Sequence, residues 1–476
     1  MSRRFTLTFG LFSALSCAAF AQAVQPPASD DGPVAITTRT NVKVPVAEAP
    51  KLPQKNALGG VTYPILNNKG EVVFHARYAT GKSMSDYVSA YFINKPDGTW
   101  TIFEGADKGL NFSEKILGLG NVSTSGNGDL IFSATIDRIA PSFKVSGGEK
   151  NVSEGAKQSG IFTKTSEGIK SIYLMGQEIP NNPATYIGFA GTSMNSKGTI
   201  AFVGTYADPD GRGLFILEDG KLKIVARSGQ RTPIGPDSTY SEHFYPSAVN
   251  EKGEVAFFCR VSGGGAIFVR RAAGIEAVAV QENPSPVEGT HFIGFANRNP
   301  AVNNKGDVVF AGFIGDDVKE APVMDANGQV IPSTKPTKSG RGLFIREAGS
   351  TQTKVVAMSG DTLPESKATF SDFLMPSVNA SGDIVFLANY AGRARGIFLK
   401  TKDGIEAIAL YEKTAPGLDR KDEGNGFNNF QNPIINDRGD ITFLGQLRKG
   451  PVGIFVKRKG EELKMIARSG EVGPIK

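Results

Sequence analysis

The chain has 476 residues, 40 % hydrophobic and 21 % charged, which supplies a core and excludes a disordered chain. Two cysteines exclude a disulfide scaffold and a multi-cysteine zinc or iron–sulfur centre. A net charge of +6 with no run of five Lys or Arg gives no indication of nucleic acid or an anionic membrane as partner, and 57 glycines announce many tight turns.

Residues 1–21 read as a signal peptide. Arg3 and Arg4 precede an apolar run from about Leu7 to Phe20, and Ala19-Phe20-Ala21 is a small-residue cleavage site. The run is broken by Thr, Gly and Ser and falls short of the roughly 20 residues that span a bilayer. Ser2-Arg3-Arg4-Phe5 partly matches a twin-arginine signal and Leu15-Ser16-Cys17 part of a lipoprotein box, but the site at Ala21 is the better one. An exported product is expected, periplasmic or extracellular, with Cys259 its only cysteine. Loss of Arg3 and Arg4 would take the charge from +6 to +4. Residues 22–33, with Pro26, Pro27 and Gly32, read as a flexible linker. No later stretch is apolar enough for a membrane helix, so no stable membrane insertion is expected.

From residue 34 the chain is repetitive. Asn-x-x-Gly, an apolar residue two positions on and Phe two further recur from Asn67, Asn195, Asn250, Asn303, Asn379 and Asn436, with a seventh copy from Ser125. Asn and Gly at these positions suit a type I turn followed by a positive-φ residue, a common hairpin loop. The apolar residue and Phe then share one strand face. Each turn is followed by a Gly-apolar-Phe strand, as in Gly213-Leu214-Phe215 and Gly396-Ile397-Phe398, and then by a β-branched strand such as Lys223 to Gly229. A short strand precedes it, as in Pro246-Ser247-Ala248-Val249. Seven units of four up-and-down strands predict an all-β, seven-bladed β-propeller over residues 34–476, with the repeated Phe packing between blades. Residues 34–45 echo the outer strand, leaving open an extra strand or an incomplete eighth blade; another all-β repeat array is the other alternative.

The motif resembles that of the bacterial tandem-repeat proteins named for NxxGxxAF, some of which carry a choice of C-terminal anchors. The resemblance covers nearly all of the chain after the signal and implies no transferable activity. The chain ends Gly473-Pro474-Ile475-Lys476 without the anchored members' hydrophobic tail and arginine cluster, which implies a soluble exported product.

No catalytic constellation, cofactor motif or metal site is legible. Gly81-Lys82-Ser83 lacks the P-loop's earlier glycine, since Ala76 stands there. His75, His243 and His291 occupy unrelated places in their units. Asp208-Pro209-Asp210-Gly211 lacks the later ligands of a calcium loop, and Arg438-Gly439-Asp440 is the repeat turn itself. Cys259 shares a strand face with Val255 and Phe257 and reads as a buried, inert thiol. Hairpin topology places the segments between blades, and the loops between second and third strands, on the face opposite the NxxG turns. Phe132 to Phe162 and Phe310 to Phe344 are the widest Phe-to-Phe spans, giving long loops in 133–160 and 311–341. The polar segments there nominate Glu242, His243, Arg298, Asp372 and Asn429 as binding residues. The reading is a monomeric, non-catalytic exported scaffold that binds a protein or glycan on this face. A propeller hydrolase or lyase acting on sugars or lactones, and a structural envelope component, are the alternatives.

Overall fold

The computed structural model describes residues 58–471 apart from 81–86, 105–114, 141–142, 146–147, 151–155, 180–183, 208–209, 297–298, 317–338 and 393. Contacts separate Met1–Lys51 from Leu52–Lys476, and all that follows concerns the second unit. The expected signal peptide, linker, strand at 34–45 and C-terminal tetrapeptide lie outside the described residues.

The repeated turn forms as its chemistry dictates. Gly70, Gly128, Gly198, Gly253, Gly306, Gly382 and Gly439 all have φ between 77° and 99°, where any other residue would be strained. Each asparagine Oδ1 accepts the backbone N–H four residues on, at 2.8 Å for Glu254 and 2.9 Å for Asp307 and Asp440. Ser125 does the same for Asp129 at 3.1 Å.

Seven antiparallel sheets result, one per unit. Blade 6 is the plainest: Phe370–Val378 innermost, then Ile384–Tyr390, Ala394–Thr401 and Gly404–Leu410. The inner strands are longer than the short segments expected before each turn. They begin well upstream and are broken midway by bulges, as between Leu374 and Ser377 or Gln431 and Ile434. In blade 4 the strand is Tyr240–Pro246, and Ser247, beyond its end, still donates its N–H to Ala256 O at 2.7 Å. The bulges, with Pro376 and Pro433 lacking N–H groups for the ladder, interrupt the period-two alternation that marks a strand in sequence.

The two phenylalanines of each unit lie directly opposite on the second and third strands and stack, for example Phe257 on Phe268 with ring centres 5.2 Å apart and Phe443 on Phe455 at 5.4 Å. Each pair presses on the aliphatic face of the preceding blade. Phe257 and Phe268 meet Ala201, Val203, Leu214 and Ile216; Phe74 and Phe92 of blade 1 meet Leu444, Ile454 and Val456 of blade 7, which closes the ring. Burial of each ring contributes about 1.5–3 kcal/mol.

The chain passes from one blade to the next through a two-bond clasp. Gly229 N–H donates to Tyr240 O at 2.8 Å and Tyr240 N–H to Gln230 O at 2.9 Å; Gly360, Phe370 and Asp361 repeat this. Gly470 N–H donates to Leu58 O and Leu58 N–H to Glu471 O, both at 2.8 Å. Blade 7 thus grips blade 1 as blade 5 grips blade 6, and the ring closes at seven.

A second set of bonds joins neighbouring NxxG corners. Asn195 Nδ2 donates to Asn250 O at 2.9 Å, Asn250 to Asn303 O at 2.7 Å, Asn303 to Asn379 O at 2.9 Å and Asn436 to Asn67 O at 2.9 Å. All six motif asparagines are buried. Two arginines reinforce the link: Arg271 spans Glu254 and Gly306 O, and Arg458 spans Asp440 and Gly70 O. Asn250→Ala should cost about 2–3 kcal/mol, because the Glu254 N–H loses its cap and Asn303 O its donor. Asn250→Ser, which keeps the cap as Ser125 does, should cost roughly half of that. Thermal and urea unfolding of both variants checks this order.

Candidate functional site

An axial channel of about 340 Å³ is lined by the inner strands, including Ile65, Met194, Val302, Met375 and Ile434. Its mouth on the corner side is crossed by side chains that each follow a motif asparagine. Asp437 accepts from Asn68 Nδ2 at 2.9 Å, Asn304 Nδ2 at 2.8 Å and Ala380 N–H at 2.7 Å. Asn304 Oδ1 accepts from Glu251 N–H at 2.9 Å. The network is not legible in the sequence because its partners lie 57 to 369 residues apart. Its donors and acceptors satisfy one another. Among the described residues no group of three or more His, Cys, Asp or Glu is placed to hold a metal.

On the opposite face, the four nominated residues among those described lie in the upper halves of inner strands and not in loops. Glu242 and His243 are exposed on Tyr240–Pro246. Asp372 and Asn429 occupy equivalent registers, opposite Asn389 and Gln446. Each is held by an arginine from the preceding blade: Arg341 Nη1 reaches Asp372 Oδ2 at 2.7 Å, and Arg395 Nη1 reaches Asn429 Oδ1 at 2.9 Å. Arg341 also covers the Phe313 ring, 5.2 Å from its centre. Arg298 and most of the long loop in 311–341 lie outside the described residues; the loop in 133–160 includes a hairpin of Phe143–Val145 and Gly148–Lys150. Asp372→Ala should lower stability by about 1 kcal/mol, since the carboxylate also caps Phe373 N–H. Differential scanning calorimetry against wild type reads this directly.

Between blades 1 and 2 the corresponding positions are small. Ser89 stands where blades 5 and 6 have Arg341 and Arg395, and Gly118 stands in the register of Asp372. The result is a cleft of about 820 Å³ on the loop-rich face, lined by Arg77, Tyr87, Ser89, Glu104, Leu117 and Gly118. Tyr87 lies against the backbone of Gly59, where a Cβ would fall 3.1 Å from the ring. A Cβ at Gly60 or Gly118 would meet nothing within 4 Å, so at these two positions the cleft wall is bare backbone. Leu117 is 44 % exposed. Glu104 accepts the Tyr78 hydroxyl at 2.5 Å, and burial together with this carboxylate pushes the phenol up to about 12.

Behind Ser89, His75 Nε2 lies 2.5 Å from the Ser89 hydroxyl. Burial, aided by the charge of Arg77, depresses the imidazole to about 4. The folded pKa lies below the unfolded value near 6.5, so the unfolded chain takes up the proton first. The stability tied to neutral His75 is therefore full above pH 6.5, falls as pH drops towards 4 and then levels. Its size is on the order of 3 kcal/mol. Urea unfolding at pH 7 and 4.5 should show this loss in wild type and a smaller one in His75→Gln. Cys259 is buried against Val255 and Phe257, and burial pushes its thiol up to about 12, a buried and unreactive thiol as expected.

The architecture is that of a seven-bladed propeller. The chain belongs to a family of unknown function (DUF7453), whose model matches residues 17–266 and 315–474. No curated protein matches it. Similar solved structures include the polysaccharide lyase Uly1, at 10 % identity over 86 % of this chain and 91 % of that one, with a TM-score of 0.39. The periplasmic gluconolactonase PpgL of Pseudomonas aeruginosa is 13 % identical over 87 % and 97 %, with a TM-score of 0.34. The fucose-specific lectin of Aleuria aurantia is 9 % identical over 75 % and 97 %, with a TM-score of 0.28.

Proposed function

We propose that the protein is an exported, monomeric propeller, periplasmic or extracellular, that binds a glycan without transforming it. The NxxGxxAF-like repeat serves as its scaffold, and the cleft between blades 1 and 2 is its site. The observation that carries this reading is the cleft itself. It sits on the loop-rich face, offers an aromatic ring beside glycine backbone, and sets hydrogen-bonding groups of both kinds around it. Sugars present that mixture of apolar C–H faces and hydroxyls, and pockets of this size suit one or two residues.

A hydrolytic reading has one observation in its favour, the Ser89–His75 contact. Taking the serine proton would create an imidazolium that burial and Arg77 both disfavour, so the pair is a poor general base at neutral pH. The contact orients the Ser89 hydroxyl in the cleft wall. Tyr87→Ala should abolish binding on a glycan array while leaving the melting temperature within 2 °C or so of wild type, as expected for a surface change. Unaltered binding would remove the cleft as the site.

A further inference from the structure

The geometry points to an anionic substituent on the bound sugar, a carboxylate or a sulfate, received by Arg77. This rests on the glycan reading above and specifies its ligand class.

Three observations carry it. First, Arg77 is exposed on the cleft wall, and its guanidinium has neither a hydrogen-bond nor an ion-pair partner among the described residues. Secondly, the molecule shows elsewhere what it does with arginine at this level of a blade boundary. Between blades 5 and 6, Arg341 lies over the residue in the Arg77 register, Phe313, and is answered by Asp372. Between blades 6 and 7, Arg395 is answered by Asn429. Between blades 1 and 2 the cation has moved one strand inward, to Arg77, and the answering position is Gly118, with open space where a side chain would be. The cleft thus keeps the cation and lacks the acceptor that the boundaries between blades 5 and 6 and between blades 6 and 7 supply. Thirdly, the one carboxylate lining the cleft among the described residues, Glu104, is already engaged by the Tyr78 hydroxyl. A ligand whose anionic group replaces the missing acceptor, and whose hydroxyls donate to Glu104, complements both ends. A guanidinium binds carboxylate or sulfate oxygens in fork geometry with charge-assisted hydrogen bonds. Arg77 also acts on its surroundings as a net cation, since its charge helps to hold His75 neutral.

The test is titration calorimetry of the full-length protein with three probes: oligogalacturonate, its neutral methyl ester, and a sulfated neutral oligosaccharide of similar length. Wild type should bind at least one charged probe about tenfold or more tightly than the ester. Which charged probe wins identifies the carboxylate or the sulfate as the source. Arg77→Gln should bring that probe down to the level of the ester and preserve the melting temperature. Equal affinities in wild type, or a charge preference that survives Arg77→Gln, would overturn the inference. In either case the glycan reading stands if Tyr87→Ala still removes binding. Failure of all three probes to bind overturns the inference and the glycan reading together.

Discussion

A single amide group does double duty at four of the seven corners. There the motif asparagine, as at Asn250, turns its oxygen inward, to the N–H groups of its own hairpin, and its nitrogen outward, to the carbonyl of the neighbouring corner. The same side chain therefore shapes a blade and fastens it to the next. Aspartate offers no donor and serine no second reach, so only a short amide performs both tasks. Blade 2, which has Ser125, keeps the first task and gives up the second. The stacked phenylalanines provide most of the stabilisation between blades, but apolar packing is non-directional. The buried amides fix the angular register at which it occurs.

That division of labour explains which parts of the molecule are free to vary. The corner face is committed to holding the ring together, down to the Asp437 network across the channel mouth. The opposite face carries the blade boundaries, and there the occupants differ from one boundary to the next. Arginine with aspartate, arginine with asparagine, and serine with glycine sit in matching registers. A scaffold held at one end can change residues at the other without losing closure.

The fold was legible because the determinants of a blade are local and repeated. An Asn-x-x-Gly turn and two phenylalanines in register announce a hairpin, and seven copies announce a ring. The inner strands were only half legible. Bulges and prolines destroy alternation where the chain lines the axis, so Asp372 and Asn429 read as loop residues although they lie within strands. The polar character that nominated them is real, but it answers to arginines 31 and 34 residues away in sequence. The cleft was not legible at all. It arises from what is missing at Ser89 and Gly118, and an absent side chain has meaning only against the register of the other blades. Arg77, within a strand otherwise read as packing, gave no signal of its own.

The clasp between Gly470 and Leu58 uses the same bonds as the internal junctions. The circle accordingly has no privileged seam: the place where the polypeptide is discontinuous is, in hydrogen bonding, an ordinary junction. Chain connectivity becomes interchangeable with non-covalent contact at that point. A circular permutant opened between blades 3 and 4, with the present ends tethered, would retain every bond described for the ring. Single blades are in the same sense modular, which is the physical condition for an array of this kind to grow by duplication and to specialise one boundary at a time.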